Sequence, residues 1–594
     1  MSLRYILKIT AIACFALLVI ALVIAHESPV TGYEINYYAS TSRSIWFYLF
    51  LSFVGGTVII IHQIITRDYQ NNNIWLLGII VIVFSKIIYS CISYVMGYKN
   101  RMGDIISQGG VISSMLDTGH ISDSNFYPVT HILASKIVLV TAIPGGIITN
   151  FSTLILVIPF LLSTYLLATD TLSQQGQQVL AIVAATTVSV SISLLPNGWS
   201  MFLLPLFFYL YFQRDIHPYR VILVILLILY PFFHPLSSFF IILSLLVMES
   251  SHRIFPSTGK ARKISKAVHI HSFNPNLVLL ESIIFFTWIL NFKQFYANIR
   301  SMWHDLLTLG NYPMATEMIK TASKISRTAV DYITLYWDMY GLTTILLLLS
   351  LSGIYYFIKQ IHAKNSGKEN IPFFTTVIIF LGTWCLFLLY LLGFPGLSAI
   401  ATDRIIRYAN IICAIPVAFG LYELLKGHIL LRIVAIILLC LMLIPSILVN
   451  RGLLGYNSKS PSLQVTTMDM AGMVWFIQKK DTNIGCIHVM SPPYRYADAI
   501  LGNVEAIKRL DIKYAEQFTD HFAYNEYDEL GEHHEHDNYT AITKLDRILY
   551  ETMWKQVGRY SFSDFNKLEH DPTVDSIYSN CELDVYFIHG TGIQ

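Results

Sequence analysis

Three long apolar runs open the chain: Ile6 to Ala25, Ile45 to Ile65 and Ile74 to Val95. Each matches the roughly 20 residues of helix that cross about 30 Å of hydrocarbon. In lipid, only a segment that pairs its own backbone N–H and C=O groups is stable, so runs of this length point to a polytopic helical bundle. Composition agrees. Hydrophobic residues make up 54% of the 594, charged ones 13%, and the mean hydropathy is +0.54, far from the soluble globular average. The first run is longer than a secretory apolar core, and His26-Glu27-Ser28-Pro29 offers no small-residue cleavage site. It therefore reads as a retained helix.

Lys and Arg collect in short cytoplasmic loops. Ser251 to His271 carries Arg253, Lys260, Arg262, Lys263 and Lys266 without an acid, which assigns it to the cytoplasm. Arg4, Arg67, Arg214, Arg220, the Lys359 to Lys368 loop, Lys426 and Arg432 then share that side. One threading satisfies them with about 13 crossings, near 5–25, 45–66, 74–97, 150–169, 179–195, 199–213, 221–233, 235–250, 277–293, 337–358, 372–394, 405–425 and 429–449. The expectation is a multi-pass cell-membrane protein with its N-terminus cytoplasmic and its C-terminal domain extracytoplasmic. Pro231 with His234-Pro235, and Pro196-Asn197-Gly198, break two of the apolar stretches, while His131 to Ile148 is assigned a place within or along the membrane. Broken helices at membrane depth require a cavity or covering protein, so the bundle should enclose a cavity.

Residues 1–450 are expected to form the transmembrane domain and 451–594 a small α/β domain. In the latter, Met470 to Lys479 has a helical pattern, and Ile484 to Met490 and Leu583 to His589 read as strands. Of seven cysteines only Cys486 and Cys581 lie in this polar tail, where a disulfide and two free thiols are both compatible with the sequence. A net charge of +2, with basic residues spread along loops, argues against nucleic acid as a partner.

Charged groups near the outer membrane boundary are costly unless paired or facing a cavity, and the ionisable residues gather near that boundary. Three outer segments stand out. In Thr31-Gly32-Tyr33-Glu34-Ile35-Asn36-Tyr37-Tyr38 one carboxylate sits among aromatic residues; an ordinary aromatic belt with a solvated Glu explains it equally well. The loop Tyr98 to His131 holds Gly103-Asp104, Asp117-Thr118-Gly119-His120 and Asn125-Phe126-Tyr127-Pro128-Val129-Thr130-His131. Its apolar residues recur at helical spacing, as on a surface helix, and a carboxylate on such a platform can take a proton from a hydroxyl. In Asp403-Arg404-Ile405-Ile406-Arg407-Tyr408, Arg404 and Arg407 share a helix face, suited to gripping phosphate or to snorkelling toward headgroups. The cluster Glu532-His533-His534-Glu535-His536-Asp537 has zinc-ligating residue types, but a solvated polar loop explains it more simply. His304 lies in a further outer loop.

These pieces resemble the GT-C membrane glycosyltransferases, and more narrowly a group of multi-spanning archaeal GT-C-like proteins. The resemblance rests on Gly32-Tyr33-Glu34, the Gly103-Asp104 loop ending in Tyr127-Pro128-Val129-Thr130-His131, Phe233-His234-Pro235-Leu236 and Ile577-Tyr578-Ser579-Asn580. It implies a mainly α, GT-C-like transmembrane bundle that takes a sugar from a polyprenyl (dolichyl) phosphate and places an essential carboxylate in an early outer loop. Asp104 is then the first candidate base and Glu34 the second. Arg404 and Arg407 are candidates for the donor phosphate, and His120, Tyr127, His131, His234 and His304 for lining the acceptor cavity. No motif demands a cofactor; a divalent cation is the one candidate addition, with no assigned metal ligand.

The partners implied are the donor, a glycan, lipid or glycoprotein acceptor, and membrane lipids. Oligosaccharyltransferases of that superfamily carry a Trp-Trp-Asp-type motif in the soluble domain, and this tail has none; Tyr336-Trp337-Asp338 abuts a span and is read as coincidence. That favours inverting transfer of a single sugar. The alternatives are a transporter or lipid-linked sugar flippase, transfer of a whole glycan to protein, and a non-catalytic envelope scaffold.

Overall fold

The computed structural model describes residues 3–35, 41–98, 100–123, 125–188, 193–254, 275–307, 329–364, 371–391, 402–448, 462–553, 555 and 559–591. The basic Ser251 to His271 stretch on which the orientation rests lies almost wholly outside the described residues, as do Asn36 to Tyr38.

Helices α1 (Leu3–His26), α2 (Arg43–Thr66) and α3 (Ile74–Val95) pack together. Gly56 on α2 faces Gly78 on α3 so closely that a Cβ at either would lie 3.0 or 2.9 Å from the other's carbonyl oxygen. Small residues let backbones approach in lipid, where hydrophobic burial gives no drive between helices. Ser52 and Ser85 hydrogen-bond at 3.2 Å across the same pair. The α2 helix ends on Arg67 at φ 60°, ψ 20°, a left-handed turn that glycine usually takes and that costs other residues about 1 kcal/mol.

After the short strand β1 (Asn100–Arg101) come α4 (Asp104–Thr118), α5 (Pro128–Thr141), α6 (Gly145–Phe151), α7 (Thr153–Thr171) and α8 (Gln175–Thr186). They are followed by α9 (Pro196–Phe202), α10 (Leu204–Phe212), α11 (His217–Phe233), α12 (Pro235–Ile254), α13 (Asn276–Ile289) and α14 (Lys293–Leu307). The bundle closes with α15 (Ala329–Lys364), α16 (Ile371–Leu391), α17 (Thr402–Ile412), α18 (Ala414–Lys426) and α19 (Ile429–Leu448). A Cβ at Gly353 on α15 would stand 2.1 Å from the Pro416 carbonyl on α18, so this crossing also depends on glycine.

Among the described residues, six helices are long and apolar enough to cross a membrane, α17 and α18 form a further candidate bent by 48°, and five apolar helices are shorter. The exposed faces carry side chains such as Ile12, Phe47, Ile158 and Ile283, which lipid would cover. The chain is thus a polytopic helical membrane protein with a small C-terminal α/β unit. The expected crossing at 179–195 is corrected: its helix α8 has 12 residues, about 18 Å, short of the hydrocarbon thickness. The 199–213 crossing is likewise divided into α9 and α10, because Pro205 at the start of α10 cannot donate a backbone hydrogen bond.

In the C-terminal unit, β2 (Gln464–Val465) precedes α20 (Thr467–Lys479), β3 (Gly485–His488), α21 (Pro493–Leu501), β4 (Glu516–Gln517), β5 (Asn538–Thr543), α22 (Phe562–His570), β6 (Val574–Ser579) and β7 (Leu583–Ile588). The five-stranded sheet runs β4-β3-β5-β7-β6, with β3 parallel to β4 and β5 and the β5-β7-β6 side antiparallel. Cys486 is buried on β3 and Cys581 exposed in the β6–β7 turn; both are free thiols. Tyr578 stacks on Trp475 of α20 with centroids 4.4 Å apart, and Asn580 donates to the Met468 carbonyl at 2.8 Å. This motif therefore fastens the hairpin to α20.

The unit is stitched to the bundle by the loops that follow α1 and α3. Strand β1 pairs antiparallel with β2, Asn100 opposite Val465 and Arg101 opposite Gln464. Glu582 accepts from the Tyr33 backbone N–H at 3.1 Å, and the Tyr33 hydroxyl donates to the Ser462 carbonyl at 2.7 Å.

Candidate functional site

The site is built around the start of α4. Gly103, at φ 97°, makes the turn out of β1 in a region closed to side chains with a Cβ. Asp104 follows in the first turn, where a carboxylate interacts favourably with the helix N-terminus. Its Oδ1 accepts from Arg495 Nη2 of α21 at 2.7 Å, and Arg495 Nη1 donates to Ser107 at 3.3 Å. The other carboxylate oxygen has no partner among the described residues, and the side chain is 58% exposed.

Helix α4 lies flush on α21 because residue 110 is glycine: a Cβ there would be 1.8 Å from the Asp498 carbonyl oxygen. Ser114 Oγ accepts from the Val504 backbone N–H at 3.2 Å, extending the contact.

From α4 the chain turns through Asn125 and Tyr127 into α5. His131 is buried, with Nδ1 against Asn125 and Nε2 against Gln108 of α4. Its ring therefore joins α5 to α4. Tyr127 stacks on His234, at the extended break between α11 and α12, with centroids 5.1 Å apart and planes 5° apart. Burial pushes the Tyr127 phenol up; the Arg404 charge opposes that shift and the Asp104 carboxylate adds to it. The Arg404 charge acts on His234 and Tyr408 as well. No carboxylate among the described residues pairs with Arg404.

Beneath this rim a polar chain descends into the bundle. The Tyr408 hydroxyl meets Ser237 at 2.5 Å and donates to Asn197 at 3.1 Å, and Ser237 meets Ser200 at 2.6 Å. Asp104, Tyr127, His234 and Arg404 thus share one neighbourhood, assembled from four elements.

No protein-family model matches this chain, and no curated protein matches it. Among solved structures, it is similar to the archaeal oligosaccharyltransferase AglB from Archaeoglobus fulgidus in complex with an inhibitory peptide and a dolichol-phosphate. The identity is 12% and the TM-score 0.45, over 79% of this chain and 69% of that one. It is also similar to an Archaeoglobus fulgidus oligosaccharyltransferase tethered by a disulfide to an acceptor peptide, with 12% identity and a TM-score of 0.48, over 88% and 74%. At this level of likeness no residue's role is transferred.

The other residues named from sequence have surroundings of their own. Glu34 sits beside Tyr98, whose phenol is pushed up by burial and by the Glu34 carboxylate, and whose hydroxyl donates to the Gly32 carbonyl at 2.9 Å. His120 is exposed past the C-terminal end of α4, a 15-residue helix about 22 Å long that separates it from Asp104. His304 is exposed on α14, and Arg407 is exposed three residues beyond Arg404. Among the described residues no three His, Cys, Asp or Glu side chains converge to hold a metal ion. In the His533 cluster, burial pushes the His534 imidazole down to about 4.

Sequence reasoning missed Arg495, which nothing in Tyr494-Arg495-Tyr496 places opposite Asp104. It also placed the ionisable residues at one boundary, which the structure corrects. Lys86 lies in the middle of α3, its Nζ donating to the Thr186 carbonyl of α8 beside a cavity lined by Leu154, Val157 and Phe160. Glu281 is fully buried on α13, where it accepts from Ser238.

Proposed function

We propose that this chain is an inverting glycosyltransferase that moves a sugar from a polyprenyl phosphate to an acceptor on the extracytoplasmic face of the membrane. The observation that carries the reading is the rim of the bundle, where Arg495 holds Asp104 at 2.7 Å and Tyr127, near both Asp104 and Arg404, stacks on His234 with centroids 5.1 Å apart.

In the proposed step an acceptor hydroxyl gives its proton to the free oxygen of Asp104 and attacks the anomeric carbon. The bond from that carbon to the phosphate oxygen breaks, and the electron pair leaves with the phosphate. Arg404, assisted by Arg407 on the same helix, would stabilise that departing charge, and Arg495 would hold Asp104 in place. Glu34 remains the second candidate base. Absence of a Trp-Trp-Asp segment from the C-terminal unit favours a single sugar over an assembled glycan. The outward orientation belongs to the proposal.

Membranes supplied with a radiolabelled polyprenyl-phosphate sugar test this. Wild-type membranes are expected to transfer label, and Asp104→Asn to lose at least a hundredfold in rate. Wild-type rates from Asp104→Asn, Glu34→Gln and the double variant would sink the assignment. Lys86 and Glu281 at membrane depth favour one rival, a transporter. Solute uptake into proteoliposomes without any sugar transfer would select it.

A further inference from the structure

A second cavity, of about 210 Å³, opens at the end of α3 opposite β1, where a single water needs roughly 10–15 Å³. Because α3 has 22 residues, this cavity lies about 33 Å along the bundle from the outer loops. Three cations from three elements line it: Arg67 at the end of α2, Lys426 at the end of α18, and Arg432 on α19. The buried tyrosines Tyr69 and Tyr422 form its back, and Ile64, Ile65 and Leu425 its apolar wall.

The charges are poorly compensated. Glu423 stands 3.5 Å from Lys426, and Arg432 Nε donates to the Gly427 carbonyl at 3.0 Å. Among the described residues no carboxylate pairs with Arg67 or Arg432, although Asp68 is adjacent in sequence. Arg67 and Lys426 both act on the Tyr69 hydroxyl, so the two cations converge at the cavity's back. Lys426 also lies 4.3 Å from the centroid of the Tyr422 ring. Arg67 adopts the left-handed conformation noted above, and strained backbone of this kind persists where surrounding structure imposes it, most often at binding sites.

We propose that this cavity binds a phosphate group, with Arg67, Lys426 and Arg432 as its donors and the isoleucine-leucine wall receiving the alkyl chains of a phospholipid. Two guanidinium forks and an ammonium match the tetrahedral oxygens of phosphate. The site is independent of the transfer reaction proposed above.

Full-length protein in detergent, examined by native mass spectrometry with phosphatidylglycerol, with diacylglycerol of the same chains, and with inorganic phosphate, tests this. Phosphatidylglycerol adducts are expected to exceed those of diacylglycerol at least tenfold. Arg67→Gly removes the guanidinium while relieving the left-handed strain, so its melting temperature should hold or rise as binding falls about tenfold. Arg432→Gln should lose a similar factor, and Lys8→Gln, an exposed cation elsewhere, should lose nothing. Saturation by inorganic phosphate in competition with the lipid would keep the site and assign it to free phosphate. Equal retention of diacylglycerol and phosphatidylglycerol, or undiminished binding by a folded Arg67→Gly, Arg432→Gln double variant, overturns the proposal.

Discussion

Arg495 reaches Asp104 Oδ1 at 2.7 Å, joining the first turn of α4 to α21 of the C-terminal unit. The pair is half open to water, so it contributes little to stability, of the order of 0–1 kcal/mol. Its consequence is positional, because it fixes one carboxylate oxygen while the side chain stays 58% exposed.

Arg495→Gln should therefore change melting by a degree or two while slowing sugar transfer on the order of ten- to a hundredfold, since small displacements of a reacting group are costly. Combining it with Asp104→Asn should add nothing to the loss from Asp104→Asn alone. Additive losses in the double variant would show that Arg495 acts elsewhere.

Arg404→Gln should raise the KM for the donor and lower turnover, together by about a hundredfold, through loss of charge at the departing phosphate. Arg404→Lys should recover only part of this, because an ammonium cannot reproduce the guanidinium fork. Initial rates across donor concentration separate the two terms. Unchanged kinetics in both variants would remove Arg404 from the site.

Gly110→Ala inserts a methyl group where only 1.8 Å separates it from the Asp498 carbonyl oxygen. The helix must move away from α21, at about 1–3 kcal/mol. A lower melting temperature and faster proteolysis of the C-terminal unit in detergent are expected, and wild-type values for both would contradict the close packing.

Asp469 gives a pH signature. Burial, with Glu582 and Asp546 nearby, pushes its carboxyl up to about 7, against hydrogen bonds from Thr466 that lower it. Between its usual range near 4 and about 7, the folded protein holds a proton that the unfolded chain releases. Stability present at low pH should thus fall as pH rises through this window, by up to roughly 1.4 kcal/mol per pH unit. Asp469→Asn, which keeps an acceptor for the Thr466 N–H, should flatten the melting temperature between pH 4.5 and 7.5. A slope equal to wild type would exclude Asp469 as its source.

The membrane helices were legible because span length alone identifies them: Ile6 to Ala25 appears as Leu3–His26, and the breaks at Pro196 and His234-Pro235 lie where proline removes backbone donors. The soluble unit's first helix and two of its strands were visible as local patterns. Strands β5 and β6 were not, because their side chains do not alternate clearly. Asp104, Tyr127, His234 and Arg404 were named from their residue types and place in the threading, and they share one neighbourhood. His120 was named with them but lies a helix length from Asp104, past the far end of α4, since only folding decides which end of a loop meets which helix. Arg495 was beyond reach for that same reason. Lys86 and Glu281 were visible inside apolar runs, yet composition averaged over a span conceals a single charge.

The pairing of β1 with β2 also sets an order in time. Residues 100 and 101 must wait for residues 464 and 465, and at ribosomal speeds of about 5–20 residues per second that interval is roughly 20–70 s. Throughout it the segment that leads into Asp104 lacks its partner strand. The newborn protein therefore completes the surroundings of Asp104 only after most of its chain has been made.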